Sequence, residues 1–266
     1  MDDELDWPRP FKVRPRVVMI AASSLVALAW VLFLVIDIGG WLSLPNGRVA
    51  WRELFNDRPV EWAQWLLQGA AILTAGFTAG RIAREEHRGL RTFLLLLGAG
   101  LVLMLFEDAG DARHVISNYV AAVFGTEVLG LPHRVVSDVP YFLVIAALPV
   151  YAIVRYGRDA WSAPTARPYL ISGYGLYALT AGGSGIRYLG DLYTSFGAGI
   201  DRLLFAGRFP VPSGSQQDVA HFMLVDSVLE ESLETLAAAS LMAAILAVGH
   251  DLREGRLEPR RLAPVR

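Results

Sequence analysis

The sequence predicts an all-α fold, a polytopic membrane helical bundle of six transmembrane helices forming a single integral membrane domain over 1–266. Three observations predict it. Hydrophobic residues fill 54% of the 266 positions, charged residues only 19%, and mean hydropathy is +0.40. With glycine counted as apolar and tyrosine left out, the apolar share is roughly 60%, against ~45–50% for a soluble domain. The apolar residues also fall in runs close to the ~20 needed to cross a bilayer, and the basic residues fall mostly on alternate connections between those runs.

The runs are 17–36, 60–79, 92–111, 139–154, 168–187 and about 219–248. The first follows a Pro- and Arg-rich segment with no small-residue cleavage site, so it reads as a retained helix rather than a signal peptide. The fourth is short and carries Pro149, which predicts a kink or little tilt. Sixteen of the 24 Lys and Arg residues lie on one side: Arg9, Lys12, Arg14 and Arg16; Arg81, Arg84, Arg88 and Arg91; Arg155, Arg158 and Arg167; Arg253, Arg256, Arg260, Arg261 and Arg266. Positive residues stay inside, so both termini are expected in the cytoplasm and the chain in the plasma membrane as a multi-pass protein. The segment 115–131 is apolar but interrupted by Ser117, Asn118, Gly125, Thr126 and Glu127; it reads as an outer interfacial helix. No repeat or linker divides the chain.

Composition also excludes several functions. There is no cysteine, so disulfides, thiolate metal sites and cysteine nucleophiles are ruled out. Lys12 is the only lysine and lies before the first run, which removes a retinal Schiff base. A net charge of −2 gives no case for a nucleic-acid partner. No phosphate loop, dinucleotide fingerprint or hydrolase elbow occurs. The histidines inside the runs are too few for ceramidase-type hydrolases.

What remains is ionisable groups where hydrocarbon should be. Each costs ~2.5–3.5 kcal/mol at a helix centre unless it faces protein, water or a partner. At ~100° per residue, Glu107, Asp111 and His114 share an arc of about 60°, and Asp226, Glu230 and Glu234 one of about 80°. Counted from the inner ends at 1.5 Å per residue, the two stripes match in depth, with Glu107 and Glu234 at roughly 21–22 Å and Asp111 and Glu230 at about 27–28 Å. The second run adds Glu61, Gln64 and Gln68 to this layer, and the fifth adds Tyr177, Thr180, Ser184, Arg187 and Asp191.

So many anions cannot all ionise side by side in low dielectric without a cation or bound protons. The first expectation is a divalent metal ion held by Glu107, Asp111, His114, Glu230 and Glu234, as bundle metalloproteins hold theirs on facing helices. Oxygen donors with one histidine suit Mn, Fe, Ca or Mg. With Glu231 as base and Arg187 steadying an anionic group, the site would serve a hydrolase, or an oxidase if the metal is iron, acting on a lipid or other small membrane-soluble substrate. Two alternatives stay open. The same carboxylates suit a proton- or cation-coupled transporter with 182–185 as a broken helix, or interhelical glue in a structural or assembly subunit. The glycines at 182–185 otherwise read as close packing.

Overall fold

The computed structural model describes residues 13–56, 58–82 and 87–257. Of the basic residues that argue for orientation, Arg9, Lys12, Arg84, Arg260, Arg261 and Arg266 lie outside the described residues. The described chain is almost entirely helical: α1 (Pro15–Phe33), α2 (Ala50–Phe55), α3 (Pro59–Arg81), α4 (Arg88–Gly110), α5 (Ala112–Phe124), α6 (His133–Ala160), α7 (Arg167–Ile186), α8 (Leu192–Ile200), α9 (Gln217–Met223) and α10 (Glu230–Arg253). A two-stranded antiparallel hairpin, β1 (Glu127–Val128) and β2 (Leu131–Pro132), precedes α6.

Among the described residues, four helical stretches are long and apolar enough to cross a membrane: Pro15–Ile38, Arg88–Gly110, His133–Ala160 and Gln217–Arg253. The second and fifth expected spans form α3 and α7, of 23 and 20 residues, but these fall outside that set. The reason is composition. α3 carries Glu61, Gln64 and Gln68, and α7 carries five glycines among serine, threonine and tyrosine. The segment expected as one interfacial helix over 115–131 is a 13-residue helix ending at Phe124, followed by the hairpin. Gly125 at φ 90 stops the helix there, a backbone conformation that favours glycine.

At the centre stands α10, which packs on α3, α7 and α1, while α4 packs on α3 and α6. From Ala237 to Val248 every residue of α10 except Met242 is buried. Six alanines in that stretch, Ala237, Ala238, Ala239, Ala243, Ala244 and Ala247, allow the neighbouring backbones to come close, the usual basis of helix association in lipid. Gly173 of α7 shows how close. A Cβ there would lie 2.6 Å from a methyl of Leu241 and 3.2 Å from its backbone nitrogen. Phe93, Leu94, Leu97 and Leu101 of α4 complete this packed half.

The other end of the bundle is capped by the long connections. Trp51, Phe55, Phe205 and Phe209 form an aromatic cluster with Phe33 at the end of α1. The Asp37 carboxylate accepts the backbone N–H groups of Ala50 and Trp51 at 2.8 and 2.9 Å, supplying the free donors at the start of α2. Trp51 donates its indole N–H to the carbonyl of Pro210 at 3.2 Å, tying the 188–218 connection down onto the cap.

Candidate functional site

Beneath this cap lies a chamber of about 400 Å³. α3 contributes Glu61, Gln64 and Trp65 to its wall, α4 contributes Glu107 and Asp108, and α7 contributes Ser184 and Arg187. The α9–α10 stretch adds Asp226, Glu230, Glu231 and Glu234. Asp111, Arg113 and His114 close the rim. The seven residues singled out from sequence, Glu107, Asp111, His114, Glu230, Glu231, Glu234 and Arg187, all line this one chamber.

They do not form one cluster. Among the described residues, no group of three or more His, Asp and Glu stands in metal-holding geometry. Two backbone irregularities account for much of the difference from the expected ladder of facing acids. Asp111 adopts the left-handed conformation, φ 51 and ψ 32, and ends α4, so a stripe counted through Glu107, Asp111 and His114 is broken in its middle. Asp111 is therefore exposed and pairs with His114 at the mouth. Across the chamber, Leu224–Leu229 forms a π-helical turn between α9 and α10. Such turns shift the facing of everything beyond them and recur at functional sites.

The acids sort instead into local arrangements. Glu107, 8% exposed, accepts the backbone N–H of Arg113 at 3.1 Å and pairs with its guanidinium at 3.5 Å. Arg187 pairs with Asp226, so its counter-ion is neither Glu231 nor Asp111. Glu230 accepts the hydroxyl of Ser184 at 3.1 Å and that of Tyr193. Burial, and then the Glu230 charge, push the Tyr193 phenol pKa upward, which keeps its proton available for this bond.

The deepest arrangement is centred on Asp108. Gln64 donates its amide N–H groups to Asp108 at 2.8 Å and to Glu234 at 3.0 Å. Gln68 donates to Asp108 at 2.7 Å and to the Tyr177 hydroxyl at 3.2 Å. The glutamines of α3, which packs on both α4 and α10, therefore join the acids of those two helices. With their nitrogens committed, the carbonyl oxygens of Gln64 and Gln68 have no partner among the described residues, and neither does Oε2 of Glu231. Buried acceptors without a donor are costly. Here they sit beside a surplus of negative charge.

Two site residues escape a reading by helical period. Asp108 lies one residue off the Glu107 stripe, and Tyr193 comes from α8, in a connection with no periodic signal. Gly183 reveals the second in retrospect: a Cβ there would lie 2.6 Å from the Tyr193 hydroxyl oxygen and 3.3 Å from Glu230. α7 is continuous through 182–185, so there is no helix break; Gly183 serves a close approach, whereas a Cβ at Gly182 would meet nothing within 4 Å. His133 and His221 stand apart from the chamber: His133 bonds the Thr126 carbonyl, and His221 bonds Asp201 and Gln217.

Below Gln68 and Glu234 the bundle is apolar. Ala71, Ala75, Leu94, Leu97, Ala237, Ala238 and Leu241 are packed together there. Of the hydroxyls in this region, Thr74 turns back to the Ala70 carbonyl at 2.6 Å and Ser240 to the Leu236 carbonyl at 2.7 Å, Ser240 also meets the Ser172 hydroxyl at 2.7 Å, and the buried Thr78 hydroxyl has no partner among the described residues. No family model matches the chain, and no curated protein or solved structure matches it.

Proposed function

We propose that this chain crosses the plasma membrane six times with both ends in the cytoplasm, and that its acidic chamber takes up a cation in the outer half of the bilayer. The observation that carries this is the charge balance. Among the described residues, eight carboxylates, Glu61, Glu107, Asp108, Asp111, Asp226, Glu230, Glu231 and Glu234, line the chamber with two arginines, each already paired with one acid, and with His114, paired with Asp111. Removing several like charges from water without compensation costs several kcal/mol per ion. A bound cation supplies that compensation and also fills the vacant acceptors of Gln64 and Glu231.

A divalent ion is the leading occupant, with Mn, Fe, Ca and Mg suited to carboxylate and amide oxygens. Asp108 and Glu234, which share the Gln64 amide nitrogen, and Glu231, through its unpartnered oxygen, are its proposed donors. When bound, such an ion polarises a carbonyl or phosphoryl oxygen or activates water, and iron would allow oxidation. In a metal-dependent hydrolase or oxidase acting on a lipid-like substrate, Glu231 would hold the ion through its unpartnered oxygen rather than act as the base. Arg187 would contribute through Asp226 rather than by gripping substrate alone. The packed apolar half weighs against the transporter reading, because a transported ion would need a polar route to the cytoplasm.

Elemental analysis of the purified protein tests the proposal after incubation with Mn, Fe, Ca or Mg in turn. The expected result is about one equivalent of a divalent metal, lost when Glu231→Gln and Glu234→Gln are combined. Absence of metal from the wild type under all four conditions would overturn the metal reading.

A further inference from the structure

Beside the chamber runs a second cavity, of about 390 Å³, between α4, α6 and α7. Its walls are apolar over most of their length, among them Leu101 and Met104 of α4, Ala146 of α6, and Ala178 and Gly182 of α7. The cavity exists because α7 presents small residues on this side: a Cβ added at Gly182 meets nothing within 4 Å. α6 meanwhile packs on α4 and rests only lightly on α7. From Glu107 down to Leu97 the groove follows ten residues of α4, about 15 Å.

Two features distinguish this groove from a packing gap. The first is continuity, because Glu107, Asp108, Phe142 and Glu234 line both the groove and the chamber. The second is its open side. Ala178 and Gly182 are exposed, and Leu143 and Ile186 at its edge are 67% and 41% exposed, facing the hydrocarbon in the proposed placement. Water is a poor occupant, since it needs two to four polar partners. An empty groove would forfeit dispersion contacts along its whole lining.

The geometry points to one occupant, the hydrocarbon chain of a bilayer lipid, entering between α6 and α7 and lying against α4 with its polar end in the acidic chamber. The inference rests on the membrane placement and on the chamber as the polar site proposed above, and it deepens the lipid-like substrate proposed there by assigning the groove that takes one of its chains. The groove is of the size that holds one ligand. The carboxylates at its head would face the cationic choline of a phosphatidylcholine, so its polar end has no need to return to the membrane surface.

Photolabelling tests this on the full chain in phosphatidylcholine nanodiscs. One probe is a phosphatidylcholine with a diazirine midway along one acyl chain, and a second carries the diazirine beside the ester. The first should label Met104 and Ala146 about tenfold over Leu66 and Leu73 on the outer face of α3. The second should label Phe142 and Glu234. Gly182→Phe, whose ring has open space to enter, should lower the groove labelling about tenfold and leave Leu66 unchanged. Equal labelling of groove and outer face, or no labelling of the chamber by the second probe, overturns the inference. Protein–protein crosslinks at Met104 and Ala146 in place of lipid adducts would also overturn it, in favour of a second copy of the chain. Labelling that persists in protein from which elemental analysis recovers no metal upholds the lipid site even where the cation proposal fails.

Discussion

The two halves of the bundle are built from the same helices on opposite rules. In the packed half, α10 presents alanines to glycine and leucine, and nearly every side chain is apolar and enclosed. In the capped half, the same helix presents Glu230, Glu231 and Glu234 to a chamber where buried oxygens lack partners. Native interiors seldom tolerate unpaired buried polar groups, and each one asks for an explanation. The contrast teaches a division of labour: one half is closely packed, and the other holds acids whose oxygens are only partly partnered.

Three substitutions would break or sharpen that contrast. The largest effect is expected at the one arrangement in the capped half that the fold cannot spare. Arg187→Ala strands Asp226 and should cost about 3–5 kcal/mol, measured by denaturant unfolding in detergent. Adding Asp226→Asn should recover most of the loss, and no recovery would mean that Arg187 acts through packing. Next is the packed half, where Gly173→Val drives a side chain into Leu241 and should cost about 1–3 kcal/mol, read as a lowered melting temperature. An unchanged melting temperature would show that α7 and α10 have slack. The smallest effect is expected at Glu231→Gln, which should leave stability within about 0.5 kcal/mol of wild type or raise it, because it neutralises an acid with an unpartnered oxygen. A large loss of stability in the same unfolding measurement would make the chamber structural rather than functional.

How far the site was legible follows from the residues themselves. Glu230 and Glu234 reach one chamber, as their spacing suggests, because α10 runs without a break from Glu230 onward, and Asp226 joins them from the π turn before it. Asp111 and His114 end at the rim because one residue with positive φ ended α4 four positions after Glu107. Asp108 gained its central place through Gln64 and Gln68, whose long amides reach across from α3. Tyr193 arrived from a connection whose path depends on the aromatic cap holding it. Neighbour counting along one helix reports none of these.

Hydropathy is a sum over neighbouring residues, so the sequence alone determined that this chain is helical, apolar enough for a membrane and loaded with acid at one level. Which acids share hydrogen bonds depends on how each helix is rotated about its axis and how far it stands from the next. One left-handed residue or one π turn changes that rotation for everything beyond it. The tertiary structure alone therefore decided that the acids surround a cavity in separate small arrangements, and that an apolar groove opens into it.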